Sequence, residues 1–320
     1  MMMSKDLPAP LPLEPACLPY LGQPVVLGLS GGRDSVALLR LLVQQGCCVH
    51  ALHVHHGIRG AEAETDARFC AKLCEQLDVP FELQRVDVPA MAEEQGISLE
   101  TAGRHARRWL LAAAARRCGS RTVALAHHAD DQAETVLFRL ARGAAGMRGM
   151  LPVHEAGGTT WLRPMLGCRR EEITQWLQAM GQPWRDDATN AVPDVARNTL
   201  RLEAIPAINK ALGRDVTPIL NRSARLHAET MDALEAALAA LPATDPQGRM
   251  YLPFVWQQPL VLQKALVRRY LQQNSVSDIS EELVLSIVAI LPADAAASRV
   301  NLPGDRRACR RERRLVIESA

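Results

Sequence analysis

The 320-residue chain has few lysines and almost no net charge. Lys5, Lys72, Lys210 and Lys264 are its four lysines, so 33 of the 37 basic residues are Arg, and 35 Asp and Glu leave a formal charge of +2. That balance excludes a histone-like chain that holds nucleic acid by bulk charge, but it leaves room for local basic patches. Arg is the better fork for phosphate, although a GC-rich coding bias would give the same excess. None of the eight cysteines stands in C-x-x-C spacing, which argues against a zinc ribbon or an iron–sulfur site. A chain of this length needs no disulfide staples, so the thiols read as reduced and the protein as cytoplasmic. Residues 1–24 carry six prolines and no apolar h-region; they read as a flexible leader, not a signal peptide. The apolar stretch Trp109–Ala115 is far too short to cross a bilayer, so no membrane role is expected. No period of 20–50 residues repeats.

What is present is ordinary globular composition, 48% hydrophobic and 22% charged, in a length that suits about two domains. Short buried-strand runs occur at Val25–Leu29, Val49–Val54, Phe81–Val86 and Thr122–Ala126. Helical patterns lie between them at Glu62–Leu77, Leu99–Cys118 and Asp131–Arg142, after a first helix that carries Val36, Leu38, Leu39, Leu42 and Val43. Strands alternating with helices of this length predict an α/β fold, a parallel sheet with helices on both faces. A hairpin is expected at Leu151–Val153 and Thr159–Arg163, turning at Gly157-Gly158, then a helix at Arg170–Met180. Beyond it the chain reads as mainly helical, with a last hairpin near the end. The expected organisation is the leader, a catalytic domain over 25–213 and a smaller, mainly helical domain over 214–320. Cys70 and Cys74, four apart on a helix, read as buried apolar residues. The five tryptophans read as core in preference to base-stacking platforms.

Ligands of such sheets gather at the carboxyl ends of the strands. Ser30-Gly31-Gly32-Arg33-Asp34-Ser35 sits at the first such end. A glycine pair there lets backbone amides approach an anion, the following helix adds partial positive charge, and two serines add hydroxyls. It is not a Walker A loop, because no Lys follows. The bland alternative is a turn in which Ser35 or Asp34 merely caps the helix. A second cluster, His127-His128-Ala129-Asp130-Asp131-Gln132-Ala133-Glu134-Thr135, leaves the fourth strand. Asp131 and Glu134 share a helix face. An Asp cap, or a capping box of Asp131 with Glu134, explains part of it. A metal site with His53, His55 and His56, or a pocket for a cationic substrate, are the sharper readings.

The six-residue loop resembles the S-G-G-x-D-S signature of the PP-loop, or N-type ATP pyrophosphatase, superfamily, which is Rossmann-like. Leu52-His53-Val54-His55-His56-Gly57-Ile58-Arg59 is similar to the L-H-V-N-H-G-L-R element of tRNA(Ile)-lysidine synthetases. Further blocks follow in that family's order: Glu100…Arg104, Ala126–Glu134, Arg139…Gly143, Met147-Arg148-Gly149-Met150, Arg163-Pro164, Asp187-Ala188-Thr189-Asn190 and Arg197-Asn198-Thr199-Leu200-Arg201. They cover about residues 25–206. Longer members of the family carry a further C-terminal domain. Two departures stand out. Arg33 fills the variable loop position and is expected to point away from the phosphates, and His55 replaces an Asn.

The resemblance implies that Ser30, Gly31, Gly32, Arg33, Asp34 and Ser35 bind ATP, with Asp34 placing Mg2+. It implies catalytic roles for Asp34, His127, Asp131, Glu134 and Arg201. Contacts with tRNA or other substrate groups are implied for His56, Arg59, Glu100, Arg104, Arg148, Asn190, Arg197 and Asn198. The implied reaction adenylates the wobble cytidine of an isoleucine tRNA with a CAU anticodon. Free L-lysine then displaces AMP, and the reading changes from AUG to AUA. Within the superfamily the rival is a tRNA thiolase; outside it, a metal-dependent phosphoesterase using the His and Asp clusters. A homodimer is left open.

Residues 211–320 hold 14 Lys and Arg against 12 Asp and Glu, and Arg306, Arg307, Arg310, Arg311, Arg313 and Arg314 make up six of the 14. The run reads either as a solvated surface or as a phosphate-tracking patch for tRNA. Arg104, Arg107, Arg108, Arg116 and Arg117 on one helix form a second basic patch.

Overall fold

The alternation of strand and helix seen in the sequence is realised in a computed structural model that describes residues 8–58, 60–143, 146–185 and 198–319. The chain divides into two units, Met1–Ala228 and Glu229–Ala320. The division falls inside a long helix and not at Gly213-Arg214, where a glycine in the left-handed region (φ 62°) ends a shorter helix. Among the described residues, no helix is long and apolar enough to cross a membrane.

The first unit is built on strands β1 (Val25–Gly28), β2 (Val49–His55), β3 (Phe81–Arg85), β4 (Thr122–Ala124), β5 (Val153–Ala156) and β6 (Thr159–Leu162). They form one sheet in the order β3-β2-β1-β4-β6-β5. All neighbours are parallel except β5 with β6. That pair is the expected hairpin, and Gly157 and Gly158 both take positive φ, 60° and 70°, as a tight two-residue hairpin turn requires. Helices α1 (Arg33–Gln44), α2 (Ala61–Gln76), α3 (Val88–Gln95), α4 (Leu99–Arg117), α5 (Ala129–Ala141) and α6 (Arg170–Ala179) connect and cover the strands.

Alternate residues of β1 face opposite layers. Val25 and Leu27 join Val36, Leu39, Cys70, Cys74, Ile173 and Leu177 in one core, while Val26 joins Leu52, Leu111, Val123 and Trp161 in the other. The second layer is roofed by α4, which buries Ala102, Ala106, Leu110, Leu111, Ala114 and Ala115 at helical spacing. Ser98 starts that helix by accepting a hydrogen bond from the Thr101 amide at 3.2 Å.

Three sequence expectations change. Residues 8–24 are not a loose leader: Cys17 is fully buried, Leu21 nearly so, and Leu11 and Leu13 pack on the core. The prolines that suggested looseness serve as acceptors, Pro8 O for Gln44 Nε2 at 3.0 Å and Pro12 O for Cys168 Sγ at 3.2 Å. Helix α3 is not among the helices expected from the sequence, and it contains Pro89. The proline sits in the first turn, where no amide is needed, and Asp87 Oδ1 accepts from the Ala90 amide at 3.0 Å. Trp161 and Trp176 are core, but Trp109 is 67% exposed and Trp256 is 48% exposed.

After α6, a π-helical turn at Leu200–Ala204 leads into α7 (Ile205–Leu212) and the long α8 (Thr217–Ala239). The second unit holds α9 (Leu252–Trp256), α10 (Leu260–Gln273) and α11 (Glu281–Ala289), with strands β7 (Met250–Tyr251), β8 (Arg299–Leu302), β9 (Arg306–Arg311) and β10 (Arg314–Ser319). Where a mainly helical domain with one closing hairpin was expected, β7-β10-β9-β8 form a four-stranded antiparallel sheet. The Tyr270 hydroxyl donates to Leu315 O at 3.0 Å and ties the sheet to α10.

Candidate active site

The loop after β1 is held open by its own side chains. Gly31 takes φ +89°. The Ser30 amide donates to Ser35 Oγ at 3.2 Å, the Gly32 amide donates to Ser30 Oγ at 3.3 Å, and Ser35 Oγ donates to Gly32 O at 2.9 Å. The residue that caps α1 is Gly32, which has no side chain to cover the first-turn amides. Neither Ser35 nor Asp34 caps the helix, so those amides keep their partial positive charge facing the loop. A Cβ on Gly31 would stand 3.2 Å from Cys70 Sγ and 3.4 Å from Phe69. Gly31→Ala is therefore expected to cost about 1–3 kcal/mol of stability, measurable by urea unfolding, and to weaken ATP binding at least tenfold by titration.

The second cluster meets this loop through a residue that sequence reasoning passed over. Helix α5 begins at Ala129, two residues earlier than expected, and its cap is His128 and not an Asp. The His128 amide donates to Asp131 Oδ2 at 3.0 Å, and His128 Nδ1 accepts from the Asp131 amide at 3.4 Å, a reciprocal capping box. His128 is fully buried, and its Nε2 lies 3.6 Å from Asp34 Oδ2 and 3.5 Å from Asp131 Oδ2. One imidazole thus joins the phosphate-loop aspartate to the acidic helix. The only sequence cue was its place immediately before the helix.

Electrostatics follow from that geometry. Burial works against the Asp34 carboxylate, but His128 and Arg33 outweigh it and hold its pKa well below the usual range. Arg33 lies along this carboxylate: its Nε donates to Asp34 Oδ1 at 2.9 Å. Burial works against the His128 cation in turn, yet Asp34 and Asp131 raise its pKa above the ordinary value. Glu134 goes the other way. It is 5% exposed, and burial together with Asp131 raises its pKa despite Arg201, whose Nε is 3.6 Å from Glu134 Oε1. Glu134 Oε1 has no hydrogen-bond partner. Arg201 reaches it from the π-helical turn and also donates to Asn198 Oδ1.

Asp34, Asp131, Glu134, Arg201 and Asn198 are thereby brought together, and His127 is half-buried at the strand exit, one residue before His128. Other expected site residues lie elsewhere. Glu100 and Arg104 are exposed on α4 and pair with each other at 3.7 Å. His56 packs beside Gly103 of that helix, and Arg148 is exposed. Arg59, Asn190 and Arg197 lie outside the described residues. In the second unit, Arg306 donates to Asn274 O and Ser275 O, Arg310 donates to Pro292 O and Ala295 O, and Arg311 pairs with Glu318. Much of that Arg run is thus engaged in holding β9 to its surroundings; Arg307 is half-buried in the same strand. Among the described residues, no three His, Cys, Asp or Glu side chains are grouped to hold a metal ion by themselves. His53 Nδ1 lies 2.8 Å from Leu29 O, and His55 Nε2 faces Glu64 at 3.5 Å, so the metal cluster with these histidines is not formed.

An anion-binding strand-to-helix loop, tied to an acidic helix at the carboxyl edge of a parallel sheet, is the layout of a nucleotide-dependent α/β protein. Residues 14–208 match the PP-loop domain family, and the chain belongs to it. Its relatives include tRNA(Ile)-lysidine synthases. That of Geobacter sulfurreducens is 35% identical over 294 residues, covering 88% of this chain and 62% of the relative. That of Deinococcus deserti is 42% identical over 234 residues, 73% of this chain and 43% of the relative. The Thermus thermophilus protein is 35% identical over 281 residues, 88% of this chain and 54% of the relative. The chain thus spans roughly half the length of these relatives. Among solved structures, the U34-tRNA thiolase NcsA from Methanococcus maripaludis is similar with a TM-score of 0.53. At 17% identity, over 66% of this chain and 73% of the thiolase, the likeness is one of fold.

Proposed function

We propose that this protein is an ATP-dependent carbon–nitrogen ligase acting in the cytoplasm. It joins the ε-amine of L-lysine to the 2-position of the wobble cytidine in an isoleucine tRNA with a CAU anticodon. The observation that carries the reading is the link from loop to helix: Asp34 on the phosphate side and Asp131 on the acceptor side meet around one buried imidazole, with Glu134 one helical turn beyond Asp131. The names of the sequence relatives support it, as does the run of matching blocks. The thiolase alternative lacks its cysteine pairs, and Cys70 and Cys74 are core residues.

In this reading the Ser30 and Ser35 hydroxyls and the loop amides bind the ATP phosphates. The cytidine O2 attacks the α-phosphorus, the bond to the β-phosphate breaks, and pyrophosphate leaves into a site whose donors are already fixed. Asp34 and Asp131 offer the hard oxygens that Mg2+ uses beside phosphates; the ion would supply charge neutralisation for the departing pyrophosphate. Asp131 and Glu134 attract the lysine ammonium, and Glu134, with its raised pKa, takes the proton. The freed amine attacks C2, the bond to the adenylate oxygen breaks, and AMP leaves. Arg201 faces Glu134 and can meet charge on the adenylate.

Incubation of the protein with ATP, Mg2+, lysine and the CAU-anticodon tRNA is expected to give lysidine in the nucleoside digest, detected by mass. No lysidine from folded protein would reject the reaction.

A further inference from the structure

Three guanidinium groups lie close enough to repel one another at the β4–β6 side of the sheet. Arg163 is the first residue past β6, whose Leu162 pairs with Ala124 of β4, so it emerges beside the strand that delivers His127 and His128. Arg139 comes from α5, beyond Glu134 in the same helix. Arg108 comes from α4, with its guanidinium 4.7 Å above the Trp161 ring.

Backbone carbonyls hold two of the three in place. Arg163 Nη1 donates to Leu151 O at 2.7 Å, and Arg139 Nη1 donates to Gly149 O at 2.6 Å. Burial, then the repulsion of Arg108 and Arg139, lowers the pKa of Arg163, and its Nε is buried with no hydrogen-bond partner. The acidic group beside it is the Cys17 thiol, which burial keeps protonated with a pKa of about 11. No ion pair among the described residues engages Arg108 or Arg163. The like charges of Arg108 and Arg163, held close with no ion pair between them and a carboxylate, oppose folding, and an anion removes that cost by supplying acceptors for their donors.

We propose that Arg108, Arg139 and Arg163 form a binding site for a phosphodiester of the RNA substrate, separate from the nucleotide loop. The site rests on the RNA-modifying reading given above. A polynucleotide suits it better than a second ATP for two reasons. The cluster lies beside the strand that carries the acceptor-side residues. Its surroundings also continue outward, through the exposed Arg148, whose carbonyl faces Arg139.

The test uses the full chain, a labelled isoleucine-tRNA transcript and fluorescence anisotropy over a range of salt concentrations. Arg108→Gln is expected to weaken RNA binding about tenfold and to reduce the salt slope by about one, with ATP affinity unchanged. Arg139→Gln repeats the measurement, in case Arg108 matters only for its stacking on Trp161. Unchanged RNA affinity and slope in both variants overturns the site. Weakened ATP binding with intact RNA binding also overturns it and assigns the cluster to the nucleotide. Lysidine formation is scored separately. A reduced slope in a protein that makes no lysidine upholds the site and rejects the reaction; lysidine with an unchanged slope does the reverse.

Discussion

Asp34→Ala is expected to lower pyrophosphate release from ATP and tRNA by about two to three orders of magnitude, while tRNA affinity by filter binding stays near that of the parent. The size follows from what the carboxylate does. It is the loop's one acidic side chain, held ionised by Arg33 and His128, and in the proposed reaction it would place the cation that meets the charge of the departing pyrophosphate. Removing it leaves Arg33 and His128 without their shared partner, so stability falls as well. The sign is set by the depressed pKa of Asp34. A carboxyl of that kind contributes stability above its unfolded value and loses it as pH falls through the folded one. The stability gap between parent and variant is therefore widest near neutral pH and closes in acid. Retained pyrophosphate release would mean that the loop does not serve ATP.

Glu134→Gln separates the two halves of the reaction. Adenylation should survive, and transfer to lysine should fall by about 10²–10⁴-fold, so that adenylated tRNA accumulates and can be trapped. In the parent, the transfer rate rises with pH through the raised pKa of Glu134, because the base must be unprotonated; the variant has no such rise. Stability moves the other way. A buried carboxyl with a raised pKa binds its proton more tightly folded than unfolded. It therefore costs stability once pH exceeds its unfolded value. The uncharged amide removes that cost, and the melting temperature at pH 8 should increase by about 1–3 °C. Loss of both steps together, or a lower melting temperature, would show that Glu134 holds the site's shape instead of its proton.

Most of the first sheet was legible because its strands are short apolar runs and its helices bury one stripe. Neither signal depends on distant residues. The loop at Ser30–Ser35 was legible for the same reason: glycine spacing and flanking elements carry it. The role of His128 was not, since it depends on Asp34, which is 94 residues away in sequence and comes close only when β1 and β4 pair. The packing of residues 8–24 was hidden by their prolines, which lack amides but keep carbonyls. In the second unit, β9 carries Arg at four of its six positions and no apolar alternation marks it, whereas Leu315-Val316-Ile317 of β10 made a closing hairpin legible. There the sheet is held by backbone pairing and by long side chains reaching main-chain oxygens, a pattern that charge counting reads as surface. Arg108, Arg139 and Arg163 were visible separately, as members of a basic patch or of motif blocks. Their meeting is a product of the fold.

Cys70 lies under the phosphate loop, where a methyl group added to Gly31 would stand 3.2 Å from its sulfur, and burial keeps its thiol protonated. A thiol in that position is a chemical clock. It can react with an alkylating reagent only in molecules whose loop has lifted from α2, so its modification rate counts the excursions of the loop. Whatever seats itself on the loop slows that clock, and occupancy of the nucleotide site can be timed without touching the nucleotide.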